Sequence, residues 1–209
     1  MVDKRILKGL YVLSDSVLTP PQSILAQMER VLKSGVRIIQ FRDKDAKDEE
    51  LEEICRALQH LCNQYNALFI INDRLELACK INADGLHVGE DDAGYDEARK
   101  KMGYDKIIGV SCYDDVQRAL KYANAGADYV AFGACFASSS KPSAKVIDLE
   151  ILKKAKETLN VPICVIGGIN HSNISTLVPY GVEMYSFISA IYENDTIEKN
   201  IEQLKKAIL

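Results

Sequence analysis

Paired cysteines are missing from this sequence of 209 residues. None of its cysteines forms a C-x-x-C pair, the spacing that is typical of zinc and redox sites. Most of them lie inside apolar runs, so we predict reduced core residues of a cytoplasmic protein and no nucleophilic role. The six positions are Cys55, Cys62, Cys79, Cys112, Cys135 and Cys164.

Long apolar runs and an excess of positive charge are also missing. No apolar run approaches the roughly 18 residues of a membrane span. The first fifteen residues carry charges but no long apolar region and no small-residue cleavage site, so we expect no signal peptide. The net charge is −4, whereas nucleic-acid binding needs a basic face or stripe. We therefore expect neither a membrane nor a nucleic acid as partner.

The chain does contain strand-like and helix-like segments in regular alternation. Strands are predicted at residues 9–13, 36–41, 68–71, 86–88, 106–111, 128–132, 161–166 and 184–188. The first helix is opened by Pro20 and Pro21, has Leu25 on its apolar face and is ended by Gly35; the others are predicted at 48–65, 75–81, 95–102, 114–125, 149–159, 174–179 and 197–208. Eight such units predict a parallel sheet with right-handed crossovers, closed into a single-domain (β/α)8 TIM barrel over residues 1–209. No G-x-G-x-x-G follows the first strand, which disfavours a dinucleotide-binding sheet.

Two carboxylates follow neighbouring predicted strands. Asp73 comes after the third strand and Asp92 after the fourth, so both lie at the same end of a parallel sheet. Oxygen ligands of this kind suit a hard cation such as Mg²⁺. The alternative is that each carboxylate merely caps the helix that follows it.

Polar side chains also end the second strand. Gln40, Arg42 and Lys44 alternate, which places all three on one face of an extended segment. The same pattern would arise in a solvated strand end without a ligand. The irregular stretch 133–148, with Ser138, Ser140 and Lys141, offers hydroxyls and a cation that could cover phosphate oxygens, although a mobile surface loop would have a similar composition.

In a barrel, all of these residues lie at the C-terminal ends of strands, where active sites are found. Ser111 ends the fifth strand, Gly167 and Gly168 follow the seventh, and Ser189 follows the eighth. Glycine-rich backbone at this place binds phosphate in such barrels. The sequence thus predicts a Mg²⁺-bridged pyrophosphate site beside a metal-free monophosphate site, an arrangement typical of transfer with pyrophosphate as the leaving group. His87 is predicted to be a core residue.

A set of motifs in this order resembles the thiamine-phosphate synthase family over nearly the whole chain. They are Q-x-R-x-K at 40–44, N-D-R at 72–74, A-D-G-x-H-x-G at 83–89, G-V-S at 109–111, G-A-D-Y-x-x-x-G at 126–133 and G-G-I at 167–169. The resemblance implies a transferase that joins 4-amino-2-methyl-5-hydroxymethylpyrimidine pyrophosphate to a thiazole phosphate. Pyrophosphate leaves first, the aminopyrimidine stabilises the cation, and the thiazole nitrogen captures it.

The resemblance also implies roles for individual residues. Asp73 and Asp92 would hold one Mg²⁺, which bridges the pyrophosphate, and Arg42, Lys44, Asn72 and Lys141 would hold the pyrophosphate itself. Gln40 and Ser111 would contact the pyrimidine. The remaining implied contacts are Gly168, Ile188 and Ser189 for the thiazole phosphate, and Ser138 and Ser140 for closure of the site. Arg42, Lys44, Ser111 and Lys141 are the implied catalytic residues.

Two other functions remain open at this point. The thiazole tautomerase branch of the family is an isomerase whose proton transfer uses a histidine where this chain has Tyr113, and a phenol with a pKa near 10 transfers protons poorly at neutral pH. A ligand-binding barrel without turnover is disfavoured because the carboxylates and the cations are retained. Glu90 replaces the glutamine that is usual in the family. A homo-oligomer is compatible with the sequence.

Overall fold

Eight parallel strands close into a barrel in chain order, β1 to β8. The computed structural model describes residues 2–89, 94–138, 144–193 and 196–208. The strands are β1 (Gly9–Leu13), β2 (Ile38–Phe41), β3 (Leu68–Asn72), β4 (Gly85–Val88), β5 (Ile107–Tyr113), β6 (Tyr129–Phe132), β7 (Ile163–Val165) and β8 (Met184–Phe187). Parallel pairing of β8 with β1 closes the circle. The predicted (β/α)8 barrel is confirmed, with strand ends that shift by one or two residues.

The helices cover the outside of this barrel. They are α1 (Ile24–Lys33), α2 (Asp48–Gln64), α3 (Leu75–Ile81), α4 (Tyr95–Met102), α5 (Val116–Ala125), α6 (Glu150–Thr158), α7 (Ser189–Tyr192) and α8 (Ile197–Ala207). A short 3-10 turn, Lys4–Ile6, precedes β1. None of the described helices combines the length and the apolar character that crossing a bilayer requires.

The predicted helix at 174–179 is wrong. Two 3-10 segments, Ile174–Thr176 and Val178–Tyr180, occupy this connection. Their backbone bonds span three residues, as in Leu177 N–H to the carbonyl of Ile174 (2.9 Å), and Pro179 supplies no N–H for an α-helical bond. The strict alternation of eight α-helices therefore fails between β7 and β8, and α7 and α8 both follow β8.

Two predicted helix starts also need correction. Pro20 and Pro21 lie in a turn before α1, in which the carbonyl of Pro20 accepts from the N–H of Ser23 and Ile24. Leu25 is exposed and does not belong to the buried face of α1. The cap of α5 is Asp115, whose side chain accepts from two N–H groups of the first turn. The predicted first residue, Asp114, lies before this cap and forms an ion pair with Lys145.

Side chains alternate between two apolar layers. On β1, Leu10 and Val12 point outward and pack against the helices, whereas Tyr11 and Leu13 point into the barrel. Because helices cover one face and the barrel encloses the other, both faces of a strand are buried. Tyr11 and Leu13, in the inward layer, also line the cavity at the C-terminal end of the barrel.

Acidic residues stabilise the opposite, N-terminal end of the barrel. The residue that precedes β4, β6 or β8 accepts a hydrogen bond from a backbone N–H at the start of the preceding strand. The pairs are Asp84 with Phe69 (2.9 Å), Asp128 with Ile108 (2.7 Å) and Glu183 with Ile163 (2.8 Å). These stabilising hydrogen bonds thus lie at the end of the barrel opposite to the C-terminal strand ends, where active sites of such barrels are found.

Candidate active site

A cavity of about 510 Å³ opens at the C-terminal end of the barrel. Ten of the residues to which the family resemblance assigns a ligand or metal role line it, drawn from the ends of six strands. They are Gln40, Arg42, Lys44, Asn72, Asp73, Ser111, Ser138, Gly168, Ile188 and Ser189. The predicted residues Asp92, Ser140 and Lys141, and the family departure Glu90, lie outside the described residues.

Two cations stand on the β2 side of the cavity. Arg42 and Lys44 line it, and neither forms an ion pair with any residue of the described part of the chain. Free cations at the mouth of a pocket attract and bind anionic groups. The β2 side is therefore suited to a ligand that carries several negative charges.

The segment that carries these cations is fixed from both sides. The N–H of Arg42 donates to the hydroxyl of Ser14 (2.7 Å), and that hydroxyl donates back to the carbonyl of Arg42 (3.1 Å). The guanidinium of Arg74 donates to the carbonyls of Asp43 and Ala46 and to the carboxylate of Asp48. Arg74, the last residue of the N-D-R motif, thus positions the loop that follows β2 and does not line the cavity.

Asp73 follows β3 in an unusual backbone conformation. Its φ is +64°, in the left-handed region that Asp tolerates better than most residues. Its N–H donates to the carbonyl of His87 on β4 (2.9 Å), which ties the ends of β3 and β4 together. A carboxylate beside the amide of Asn72 is an oxygen-rich set of the kind that Mg²⁺ prefers. No group of three or more His, Cys, Asp or Glu suited to a metal occurs among the described residues, and the second predicted ligand, Asp92, is not one of them.

The opposite side of the cavity is lined by backbone. Gly167 and Gly168 follow β7 with φ of +102° and +62°. A Cβ on Gly168 would lie 2.4 Å from the carbonyl oxygen of Ala137, so glycine is required by close packing against the segment after β6. The N–H of Gly168 donates none of the hydrogen bonds in the described part of the chain. Ser189, the first residue of α7, lines the same cavity. This side is suited to a single phosphate.

The cavity floor contains polar groups that sequence reasoning missed. His87, predicted to be a core residue, lines the cavity together with Tyr11. The imidazole Nδ1 lies 2.8 Å from the hydroxyl of Tyr129, and Nε2 lies 2.9 Å from the hydroxyl of Ser111. The A-D-G-x-H-x-G motif contains the histidine, but its role becomes visible only once the inward face of β4 is known.

The cysteines behave as core residues, as predicted. All six are free thiols, and five of them are buried. Burial raises the pKa of the Cys112 and Cys135 thiols to about 12, and it raises the pKa of the Cys164 thiol, on the cavity wall, as well. Thiols in this state carry little of the thiolate that nucleophilic attack requires.

Comparison with known proteins yields one consistent family. The family model described as thiamine monophosphate synthase matches residues 10–191. The thiamine-phosphate synthase of Wolinella succinogenes is 42% identical over 207 residues, which cover 98% of this chain and 95% of that protein. The thiamine-phosphate synthase of Thioalkalivibrio sulfidiphilus is 38% identical over 198 residues, covering 95% and 94%.

Solved structures agree with these sequence relatives. The thiamine phosphate pyrophosphorylase from Pyrococcus furiosus has a TM-score of 0.87 and 34% identity, and the match covers 98% of this chain and 96% of that one. A (S)-3-O-geranylgeranylglyceryl phosphate synthase from Thermoplasma acidophilum has a TM-score of 0.71 at 18% identity, covering 100% and 98%. The second match demonstrates a shared fold alone.

Proposed function

Because this chain belongs to the thiamine monophosphate synthase family, we propose that it joins the aminopyrimidine pyrophosphate to a thiazole phosphate and releases pyrophosphate. The product is thiamine phosphate. The observation that supports this reaction best is that one cavity has two differently lined sides, each suited to an anion. Free cations line its β2 side, and glycine backbone with Ser189 lines its β7–β8 side.

Departure of pyrophosphate is the step that the cations assist. Arg42 and Lys44 neutralise the charge that builds up as the carbon–oxygen bond breaks and its electron pair leaves with pyrophosphate. Asn72 and Lys141 are proposed as further contacts to the same group, and Ser138 and Ser140 as hydroxyls that close over it. Lys141 and Ser140 enter this proposal from the sequence.

Magnesium is proposed as the cofactor of this half of the site. Asp73 and Asp92 are the residues that would hold one Mg²⁺, since they are carboxylates that follow adjacent strands. When bound, the ion would supply Lewis-acid stabilisation of the departing pyrophosphate. Asp73 lines the cavity, and its backbone N–H donates to the carbonyl of His87 on the neighbouring strand.

The second substrate completes the reaction from the other side of the cavity. Gly168, Ile188 and Ser189 are proposed to bind the thiazole phosphate, which aims the thiazole nitrogen at the pyrimidine methylene carbon. Its lone pair forms the new carbon–nitrogen bond after pyrophosphate has left. Gln40 and Ser111 are proposed to hold the aminopyrimidine over the cavity floor.

An assay with both substrates and Mg²⁺ tests this function. Thiamine phosphate and pyrophosphate should form in equal amounts, and omission of either substrate should abolish both products. Isomerisation of the thiazole compound without the pyrimidine would indicate the tautomerase reaction instead. Binding of both compounds without any product would indicate a ligand-binding barrel. The six free cysteines suit a reducing compartment, and we propose the cytoplasm as the location.

A further inference from the structure

A continuous chain of hydrogen bonds crosses the barrel interior beneath the cavity. The amide Nε2 of Gln40 donates to the hydroxyl of Tyr11 (2.6 Å), which lies 2.9 Å from the hydroxyl of Tyr129. The chain continues from Tyr129 to Nδ1 of His87 (2.8 Å) and from Nε2 of His87 to the hydroxyl of Ser111 (2.9 Å). It links β2, β1, β6, β4 and β5.

We infer the direction of this chain from its donor at Gln40. Tyr11 accepts from Gln40, and we assign the proton of Tyr11 to the bond with Tyr129, whose hydroxyl lies 2.9 Å away. The proton of Tyr129 then goes to Nδ1 of His87. Burial raises the pKa of both phenols above ordinary values, so both keep the proton that this direction requires.

This direction fixes which atoms of His87 and Ser111 donate and which accept. With Nδ1 accepting, the neutral imidazole carries its proton on Nε2, and that N–H donates to Ser111. The hydroxyl of Ser111 is thus an acceptor toward His87, and its own hydrogen is available to the cavity that Ser111 lines. A serine hydroxyl that could otherwise rotate is held as a donor toward the ligand.

The barrel is built to accommodate this chain. Gly109 on β5 leaves the space that the ring of Tyr129 fills, because a Cβ at Gly109 would lie 1.9 Å from that ring. The imidazole of His87 stacks on the same ring, with centroids 5.6 Å apart and planes at 23°. Tyr11 meets it edge-on, with an interplanar angle of 80°. The barrel interior thus contains three aromatic side chains with polar atoms, at positions where apolar side chains would need no hydrogen-bond partners.

We propose that Tyr11, Tyr129 and His87 are positioning residues that hold Ser111 as a hydrogen-bond donor to a ring nitrogen of the aminopyrimidine. This inference rests on the proposed function and adds a basis for substrate choice. Ring nitrogens of an aminopyrimidine accept hydrogen bonds, whereas its exocyclic amine donates them. A donor fixed at Ser111 selects the acceptor edge, and a pyrimidine with an N–H at that edge would be rejected.

Tyr129→Phe tests the proposal, since it removes one oxygen and keeps the ring. We expect the KM for the pyrimidine pyrophosphate to rise roughly 10-fold, as loss of a buried hydrogen-bond partner implies, while the KM for the thiazole phosphate stays within about twofold. Tyr95→Phe is the matched control, because its buried hydroxyl donates to the carbonyl of Ala125 outside the cavity lining. Equal increases in both KM values, or an unchanged pyrimidine KM, would overturn the proposal.

The tautomer of His87 provides a readout that does not depend on activity. Nitrogen-15 NMR of the histidine-labelled protein, with His87→Gln used to assign the signal, should show an unprotonated Nδ1 and a protonated Nε2. Tyr129→Phe should give a mixture of both tautomers, and Tyr95→Phe should not. A protonated Nδ1 in the wild type would overturn the proposal even if the enzyme makes thiamine phosphate, which separates this inference from the proposed function.

A second pair of variants distinguishes the hydrogen bonds of His87 from its packing. His87→Gln retains one acceptor and one donor on an amide, whereas His87→Leu retains neither. If both variants unfold at the same temperature, His87→Gln should keep the pyrimidine KM several-fold closer to wild type than His87→Leu does. Identical KM values for the two variants would show that His87 acts by packing alone.

Discussion

Lys145 forms an ion pair with Asp114, with 2.7 Å between Nζ and Oδ2. Lys145 belongs to the segment after β6, and Asp114 follows β5. Both residues line the cavity, so the pair connects two neighbouring loops across its rim. Each partner favours the charged form of the other, since the ammonium lowers the pKa of Asp114 and the carboxylate raises that of Lys145.

The first prediction concerns cleavage by trypsin after Lys145. Asp114→Asn removes the carboxylate that the ammonium contacts, so cleavage should be several-fold faster than in the wild type. Magnesium pyrophosphate should slow cleavage in the wild type, because we predict that the segment 133–148 closes on substrate. Lys141→Ala should abolish that protection if Lys141 contacts pyrophosphate. Timed digestion followed by mass spectrometry measures each rate.

The matched control for this digestion is Asp96→Asn, on the exposed surface of α4. It should leave the rate of cleavage after Lys145 unchanged. Cleavage that is equally fast with and without magnesium pyrophosphate would show that this segment does not act as a lid.

The second prediction concerns the carboxylates proposed for magnesium. Asp73→Asn and Asp92→Asn should each lower turnover by orders of magnitude and shift the Mg²⁺ titration to higher concentration, because an amide cannot replace an anionic ligand. Circular dichroism should show an intact fold. A normal Mg²⁺ titration in either variant would remove that residue from the metal site, and Asp96→Asn again serves as the control.

The third prediction separates backbone strain from close packing at two glycines. Gly168 and Gly181 have nearly the same φ, +62° and +65°, but a Cβ on Gly181 would meet no atom within 4 Å. Gly181→Ala should lower the free energy of unfolding by about 1–2 kcal/mol, the cost of the left-handed conformation. Gly168→Ala should cost about 1–3 kcal/mol more, since its Cβ overpacks against the carbonyl of Ala137. Urea unfolding that gives equal losses for both variants would contradict this packing role.

The sequence predicted the barrel well because each strand and helix carries a local signal. Alternating apolar segments, Gly35 after α1 and Gly126 after α5 indicated the units and their ends. The failure at 174–179 has a local cause too. A short helix was predicted there, but Pro179 lacks the N–H that an α-helical bond needs, and the connection forms 3-10 turns.

The site was predicted less completely, for a physical reason. Cations, carboxylates and glycines that follow strands stand out against apolar neighbours, so Arg42, Asp73 and Gly168 could be found. His87 could not, since both faces of a barrel strand are buried and a polar residue within a strand does not reveal which face it occupies. The partners of His87 lie on β5 and β6, and only the closed barrel brings them together.

The most direct test of two anion sites in one cavity is a comparison of KM values for both substrates in Lys44→Ala and Ser189→Ala. Lys44→Ala should raise the KM for the pyrimidine pyrophosphate roughly 10-fold or more, as loss of a hydrogen bond to a charged group implies, and leave the thiazole phosphate KM near wild type. Ser189→Ala should show the opposite pattern. If both variants raise the same KM, or raise both equally, the two anions do not occupy separate sides of the cavity and the account is wrong.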